Sequence, residues 1–242
     1  MAGHSKWANI KHKKGKEDKA RGKKFTQLIR EITVATQESG SDPSSNPRLR
    51  LAIDKAQQAN MPKDTINRAV MRGNGEQDSS SFEEVRYEGY APCGVAVIVK
   101  CLTDNRNRTA GEIRHAFSKY GGNLGTDGSV VYMFDLKSVF NIISNISEEE
   151  FFERVIDLDV DDILTEDEGF QVLSSTGEFA KIRDFFISSD FKLDSAEMCW
   201  VANQYVALDN DMSEKVIKLI NVLEDLDDVQ AVFTNASWPD LV

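Results

Sequence analysis

The sequence is poor in the residues that build most catalytic and metal sites. Its 242 residues include three histidines and three cysteines, and two of the histidines lie among lysines that would repel a metal cation. The cysteines are odd in number and widely spaced, which favours reduced, packed thiols over a disulfide framework. The motifs of P-loop nucleotide binding, serine hydrolases and zinc proteases are absent. We therefore expect a protein that is not an enzyme and that uses no metal or other cofactor.

Long apolar segments are also missing. The longest apolar runs, such as residues 94–99, fall far short of the ~20 residues that a membrane-spanning helix requires. The N-terminus lacks the apolar stretch of a secretory signal peptide. These features predict a cytoplasmic protein with no membrane partner.

Charges of opposite sign are concentrated at the two ends of the chain. The whole sequence has 40 acidic and 29 basic residues, a net charge of −11. Residues 1–24, which we call the basic arm, have nine lysines and arginines against two acidic residues, whereas residues 135–242 have seven basic and twenty-five acidic residues. Because surface fields are screened within ~8 Å at physiological ionic strength, the arm can attract a polyanion although the protein is acidic overall. This pattern predicts nucleic acid as the partner.

The arm itself allows two interpretations. A lysine-rich segment can be a solvated tail. Here, however, the basic residues would surround a helix on every side, so no apolar stripe could pack it and a polyanion would order it. Trp7 and Ile10 lie one helical turn apart and could either pin the arm onto the following helices, which is the favoured role, or stack on a base.

We predict nucleic-acid binding by side chains of the arm and of the helices that come after it. The predicted residues are Lys6, Trp7, Lys11, His12, Lys13, Lys14, Lys16, Lys19, Arg21, Lys23, Lys24, Arg30, Arg48, Arg50 and Lys55. Contacts of this kind are made mainly to phosphates, so we expect them to position the protein rather than to read a sequence.

Three helices are predicted in the first part of the chain. Apolar residues recur with helical spacing between residues 25 and 39. A second helix begins with Asn46 as its N-cap and Pro47 in its first turn. A third begins near Pro62, with Gly73 predicted as the C′ residue after its last turn. The Gly- and Ser-rich stretch beyond it is predicted to be a linker.

Strand patterns then alternate with helices. Residues 84–90 and 95–103 predict a β-hairpin. A helix opened by the capping box Thr109-x-x-Glu112 comes next, and a further strand is predicted at 130–134. This unit lacks one helix and one strand of a complete two-layer sandwich. The last helix and the last strand of the sequence can supply them.

The acidic section repeats a strand–helix–strand–strand–helix–strand order, which is typical of a ferredoxin-like sandwich, with its last strand predicted at 198–207. We therefore predict that this section is inserted in a split middle domain. The predicted fold is α+β, with an N-terminal three-helix domain followed by two ferredoxin-like α/β sandwich domains, the third inserted in the second. The predicted domains are residues 1–80, residues 81–134 with 207–242, and residues 135–206.

The turn at residues 103–109 is a second candidate site. A predicted strand leads into a helix there, so Arg106 and Arg108 would lie beside the exposed N–H groups of the first helical turn and could bind a phosphate. Equally, the Asp and Asn side chains of the turn could cap the helix while the arginines pair with nearby acidic groups. A metal-dependent enzyme with Asp104 and Asp127 as ligands is a third, less favoured interpretation.

Several segments resemble the YebC/PmpR family: AGHSKWANIKHK at residues 2–13, NPRLRLAIDKA at 46–56, YEGY at 87–90, TDNRNRT at 103–109 and GGNLG at 121–125. The resemblance implies a helical N-terminal domain, a middle α/β domain and a third α/β domain inserted in the middle one. It also implies a transcriptional regulator that binds promoter DNA, and it brings no catalytic residues.

The resemblance includes a second function. Mitochondrial relatives are described as translational activators of cytochrome c oxidase, and some bacterial members resemble ribosome-associated factors. The alternative is therefore a translation factor whose arm contacts ribosomal RNA and whose acidic domains face basic ribosomal proteins. Both partners are polyphosphates, so the sequence leaves the choice open, and in either case we expect a monomer or a weak oligomer.

Overall fold

The computed structural model describes residues 17–75, 82–166 and 168–239, with side chains described from residue 22 onward. None of the helices in these ranges is long and apolar enough to span a bilayer. The helices are α1 (Glu17–Ser39), α2 (Pro47–Gln58), α3 (Lys63–Gly73), α4 (Arg106–Lys119), α5 (Glu148–Val155), α6 (Phe179–Ser188) and α7 (Asn210–Asp225). The strands are β1 (Glu83–Tyr90), β2 (Ala96–Thr103), β3 (Asn123–Leu124), β4 (Phe134–Ile143), β5 (Asp162–Glu166), β6 (Gly169–Ser174), β7 (Lys192–Ala202), β8 (Val206–Ala207), β9 (Val229–Thr234) and β10 (Ala236–Ser237).

The first three helices enclose a core of their own around Ile32, Leu49 and Ala56, which are fully buried. Asn46 fixes the loop between α1 and α2. Its side-chain oxygen accepts a hydrogen bond from the N–H of Leu49 at 3.0 Å, and its amide donates to the carbonyl of Ala35 at 2.7 Å. The predicted N-cap is confirmed, and such a cap contributes ~1 kcal/mol of stability.

Gly73 has a different role from the one the sequence predicts. It is the last residue of α3 rather than the residue after it, and Asn74 is the C-cap. A Cβ atom at Gly73 would lie 2.5 Å from the carbonyl oxygen of Thr33 on α1. The glycine is therefore required where α1 and α3 approach each other closely, which the local sequence does not show.

The first sheet has the strand order β3-β1-β2-β9, and all its neighbours are antiparallel. Helices α4 and α7 cover one of its faces, where Val97 and Val99 meet Phe117 and Leu219. On the opposite face, Ile98 packs against the second sheet. Strand β2 is therefore buried on both faces, which accounts for its apolar residues at 96–99 and 101–102.

The second sheet has the antiparallel order β5-β6-β4-β7. With α5 and α6 on one face, this is the ferredoxin-like arrangement predicted for the acidic section. The core under the helices is aromatic; the ring centres of Phe151 and Phe170 are 4.0 Å apart, and Phe186 lies beside them. Val139 and Leu173 face the first sheet. The predicted fold class, with N-terminal helices followed by two α/β sandwiches, is confirmed.

Strand β9 returns to the first sheet after the second sheet is complete. It pairs with β2, where Val99 lies opposite Val232. This is the pairing that an inserted third domain requires. The boundaries proposed after residues 134 and 206 stay predictions.

Two strand predictions were wrong. Residues 131–133 form a 3₁₀ turn, and Phe134 opens β4 of the second sheet, so residues 130–134 do not supply a strand to the first sheet. The two-residue strand β3 takes that place by pairing with Gly89 and Tyr90. The strand predicted at 198–207 begins earlier, as β7, and β8 is separate from it. A two-residue strand has too few positions to show an alternating pattern, so the sequence could not indicate β3.

Helix starts were also displaced. Helix α1 begins at Glu17, inside the basic arm, and therefore before the apolar pattern starts. Helix α4 begins at Arg106 rather than after a cap at Thr109, and the side-chain oxygen of Asn105 accepts a hydrogen bond from the N–H of Arg108 at 3.1 Å. The hydroxyl of Thr109 is used in a tertiary contact instead.

Candidate nucleic-acid interface

Most of the predicted arm residues lie outside the described part of the chain. These residues are Lys6, Trp7, Lys11, His12, Lys13, Lys14 and Lys16. Lys19 and Arg21 lie on α1, but their side chains are likewise outside the described residues. Nucleic-acid binding by all of them, and the pinning role of Trp7, stay predictions.

One face of α1 is fixed to the loop that precedes β9. The Nζ atom of Lys23 donates to the carbonyl of Leu226 at 3.0 Å, and Nε2 of Gln27 donates to the carbonyl of Val229 at 2.8 Å. Arg30 reaches the same loop one turn further along. The spacing of four and then three residues puts these side chains on one side of the helix. We call Lys23, Gln27 and Arg30 the docking face of α1.

Asp228, which is 1% exposed, lies at the centre of this contact. One carboxylate oxygen accepts from Nη1 of Arg30 at 2.7 Å, and the other accepts from Nη2 of Arg108 at 2.8 Å. The hydroxyls of Thr103, at 3.1 Å, and Thr109 also donate to it. A buried carboxylate is costly unless it is paired and hydrogen-bonded, so these donors are what makes its burial possible. We call these five residues the Asp228 cluster.

The electrostatics of the cluster favour an ionised carboxylate. Burial raises the pKa of Asp228, but hydrogen bonds from Thr109, Arg108 and Arg30 stabilise the anion more strongly, and the net effect lowers the pKa. Burial, together with the neighbouring Asp228 charge, raises the pKa of the Cys101 thiol to about 12. The thiol is therefore protonated at neutral pH and acts as a packed apolar group.

Two further basic residues bridge the helical domain to the sheets. Nε of Arg48 lies 2.7 Å from Glu31 on α1, and its Nη2 lies 2.9 Å from Glu84 on β1. Nζ of Lys55 lies 3.6 Å from Glu197 on β7, a longer and partly exposed pair. Like the docking face of α1, these contacts attach the helical domain to the two sandwich domains.

The structure shows Arg30 and Arg48 in ion pairs, and nucleic-acid binding by these two residues stays a prediction. The side chain of Arg30 is 13% exposed, and both guanidinium groups bond to carboxylates across a domain junction. Arg50 differs, because its donors are bonded to carbonyl oxygens of the loop before α2, which leave its positive charge in place. Binding by Lys23, Lys24, Arg50 and Lys55 also stays a prediction.

In the 103–109 turn, the structure shows the contacts of the capping interpretation. Arg108 pairs with Asp104 at 2.9 Å as well as with the buried carboxylate described above. Arg106 is more open, with a side chain that is 65% exposed and lies 3.7 Å from Glu83. Phosphate binding by Arg106 and Arg108 stays a prediction, and Arg106 is the better placed of the two.

The YEGY segment also has a structural role. The side chain of Glu88 is fully buried, and its carboxylate accepts from the N–H groups of Val130 at 2.8 Å and Val131 at 2.9 Å. Nε of Arg86 donates to the same carboxylate, and its Nη2 pairs with Asp127 at 3.0 Å. Asp127, a ligand in the metal hypothesis, is thus an ion-pair partner. Within the described ranges, no three or more His, Cys, Asp or Glu side chains converge on a metal position.

Gln27, Glu88 and Asp228 were not predicted from the sequence. The spacing of Gln27 from Lys23 and Arg30 is a local signal for the docking face. Asp228 sits in an acidic run that is indistinguishable in sequence from a solvated surface.

Two family models match nearly the whole chain. Residues 5–76 match the TACO1/YebC protein N-terminal domain, and residues 82–236 match the TACO1/YebC second and third domain. The chain belongs to the TACO1/YebC family. The two matches are separated by residues 77–81, between α3 and β1.

Similar proteins share this family and its fold. The transcriptional regulatory protein PmpR of Pseudomonas aeruginosa is 51% identical over 241 residues, which cover 99% of this chain and 97% of PmpR. A probable transcriptional regulatory protein of Francisella tularensis is 53% identical over 239 residues, which cover 98% of this chain and 96% of the length of that protein. A crystal structure of a conserved hypothetical protein from Aquifex aeolicus superposes with a TM-score of 0.88 at 45% identity, covering 98% of both chains.

Proposed function

We propose that the protein is a non-enzymatic regulator of gene expression that binds nucleic acid through its basic arm, with promoter DNA as the target. The observation that carries this proposal is the presence of nine basic and two acidic residues in residues 1–24 of a chain whose net charge is −11. Phosphate contacts made by such a segment supply sequence-independent affinity. The names of the relatives, which describe regulatory proteins, support the regulatory part of the proposal.

The way α1 is attached adds a structural argument. Helix α1 begins at Glu17, inside the arm, and Gln27 and Arg30 hold it against the loop before β9. The end of the arm, residues 17–24, therefore belongs to a helix of fixed orientation. The excess of acidic residues in the two sandwich domains disfavours close contact with the same polyanion.

A salt titration of duplex DNA binding tests the proposal. If about five basic side chains contact phosphates, log K falls against log salt concentration with a slope of roughly −4 to −5. The test variant replaces four arm residues by glutamine: Lys11, Lys13, Lys14 and Lys16. It should weaken binding to all sequences alike and make the slope shallower by ~3 to 4, because phosphate contacts carry no sequence information.

A matched control removes the same charge from the described surface. It replaces Lys63, Lys181, Lys215 and Lys218 by glutamine. This control should leave the slope unchanged. A wild-type slope near zero, or equal losses in both variants, would refute binding through the arm.

The acidic domains favour one alternative. Residues 135–242 carry twenty-five acidic and seven basic residues, a surface suited to basic ribosomal proteins while the arm engages ribosomal RNA. Sedimentation of the protein from lysate, at matched salt, separates the two functions. Co-migration with ribosomes supports the translation factor, and co-migration with chromosomal DNA supports the transcriptional regulator.

A further inference from the structure

Helix α4 differs in charge from the other helices of the sandwich domains. It has four basic residues and one acidic residue. By comparison, α5 has one basic and four acidic residues, and α7 has two basic and four acidic residues. Helix α4 is therefore a local exception to the acidity that otherwise disfavours contact with a polyanion. Because charges act mainly within a Debye length, such a patch attracts a polyanion in spite of the acidic remainder.

The solvent side of α4 has no acidic residue at its centre. Ile113 and Phe117 are buried against the first sheet. Because successive residues of an α-helix are rotated by about 100°, five exposed residues fall on the opposite side of the helix. We call them the outer face of α4: Asn107, Gly111, Arg114, His115 and Ser118. Glu112, the acidic residue of the helix, lies to one side of this face.

Two cations at or beside the outer face are not used to hold the molecule together. Within the ranges that the structure describes, the side chain of Arg114 has no ion-pair partner. Nζ of Lys119 lies 5.7 Å from the ring centre of Tyr120 and pairs with no described carboxylate. Arg108, by contrast, is bonded to Asp228. The charges of Arg114 and Lys119 are therefore available to a partner.

Gly111 lies at the centre of the outer face. A glycine inside a helix is destabilising relative to alanine. At Gly73 the close approach of another helix explains the glycine, but a Cβ atom at Gly111 would meet no atom within 4 Å. Packing among the described residues therefore gives no reason for a glycine here. A missing side chain on an exposed face allows a ligand to approach the helix backbone closely.

Helix α4 also lies next to the end of the arm. The carbonyl of Leu226 accepts a hydrogen bond from Lys23 of α1. Leu226 also lines a shallow groove together with His115 and Lys119 of α4. The carboxylate of Asp228 is bonded to both helices. A polyanion held by the arm would therefore lie beside α4.

We propose that the outer face of α4 is a second phosphate-contacting surface, on which the backbone of the nucleic acid held by the arm is seated. Arg114 and Lys119 would pair with phosphates, while Asn107 and Ser118 would donate hydrogen bonds to them. Gly111 would let the nucleic-acid backbone come close to the helix. This inference rests on nucleic-acid binding by the arm, which is the proposed function, and it adds a site on the middle domain.

Removing one charge from this face tests the phosphate contact. Duplex DNA binding to Arg114→Gln is measured by fluorescence anisotropy over a range of salt concentrations. The slope of log K against log salt should become shallower by about 0.9, and the Kd at physiological ionic strength should rise about fivefold. The matched control is Lys215→Gln, which removes an exposed charge from α7 and should bind DNA like the wild type.

Adding bulk without charge tests the close approach. Gly111→Gln should raise the Kd for DNA at every salt concentration. Its thermal midpoint should not fall, because glutamine is a better helix former than glycine. Weaker binding without loss of stability would exclude unfolding as the cause. The control Ala180→Gln adds a similar side chain at an exposed position of α6 and should leave the Kd unchanged.

The outcomes separate this inference from the proposed function. If the wild type shows the slope expected for the arm and Arg114→Gln and Gly111→Gln bind DNA like the wild type, the surface on α4 is overturned and binding through the arm stands. A wild-type slope near zero refutes both. Polyglutamate is the probe for an acidic protein partner. If Arg114→Gln weakens binding of polyglutamate but not of DNA, the assignment to nucleic acid is overturned.

Discussion

The helical domain and the inserted domain use their charged side chains in opposite ways. In the helical domain, Arg30 and Arg48 point inward and bond to carboxylates of the middle domain. In the second sheet and its helices, residues 134–202 include seventeen acidic and five basic residues, and basic residues such as Arg154 are held in local ion pairs. The number of basic residues alone therefore does not distinguish side chains that hold the domains together from side chains that are available to a partner.

The largest expected effect is on the junction of the helical and middle domains. Replacing Asp228 by alanine leaves Arg30 without its buried partner, so the free energy of unfolding should fall by about 3 kcal/mol. This is the low end of the usual cost of removing one partner of a buried ion pair. It applies because Arg108 is partly exposed and would still be paired with Asp104. Urea unfolding measures the change. The neighbouring Asp227→Ala variant is the control, because that side chain is exposed. Similar losses in both variants would show that the cluster does not hold the junction.

A glycine substitution tests the packing within the helical domain. Gly73→Ala would place a Cβ atom 2.5 Å from the carbonyl of Thr33, so we expect a loss of roughly 1–3 kcal/mol from overpacking. Gly111→Ala is the matched control, because Gly111 lies inside α4 with open space around it, and there alanine should add up to ~1 kcal/mol of helix stability. Differential scanning calorimetry distinguishes the two. Stabilisation by both substitutions would mean that α1 and α3 are not in close contact at Gly73.

Acid should weaken the junction of the helical and middle domains at Asp228. The folded-state pKa of Asp228 is lowered from 3.8, so its stabilising contribution is fully present above the unfolded-state value and is lost as pH falls through the folded-state value. The difference in unfolding free energy between wild type and Asp228→Asn should therefore be constant at neutral pH and shrink below pH 3.8. A difference that stays constant down to pH 2 would mean that the carboxylate is not stabilised as an anion.

The smallest expected effect comes from the inserted domain. Its acidic surface should repel nucleic acid, so removing it is predicted to tighten binding. Deleting residues 137–204, however, would uncover Ile98 and Phe233 of the first sheet, which pack against this domain. Neutralising exposed acids with Glu149→Gln, Glu153→Gln and Asp157→Asn tests the same idea in an intact fold, and DNA affinity should rise about twofold from reduced repulsion. Weaker binding with unchanged helix content would mean that these residues contribute contacts of their own.

Local features of the fold were predictable, and long-range ones were not. The start of α2 is set by Asn46 and Pro47, because capping depends on residues within one helical turn. The role of Gly73 depends on α1, and the partner of Arg30 lies 198 residues further along the chain. For the same reason, the charge pattern could indicate the arm as a candidate site. It could not show that Arg30 and Arg48 pair with carboxylates whereas Arg50 bonds to carbonyl oxygens.

The most direct test of binding through the arm is lysine acetylation of the intact protein, read by mass spectrometry with and without duplex DNA. If the arm is the interface, DNA should protect its lysines, as read at Lys6, Lys11, Lys13, Lys14 and Lys16. The lysines of the sandwich domains should react at the same rate in both samples, as read at Lys181, Lys215 and Lys218. Protection confined to the sandwich domains, or no protection in the arm under conditions where DNA is bound, would contradict the proposed function.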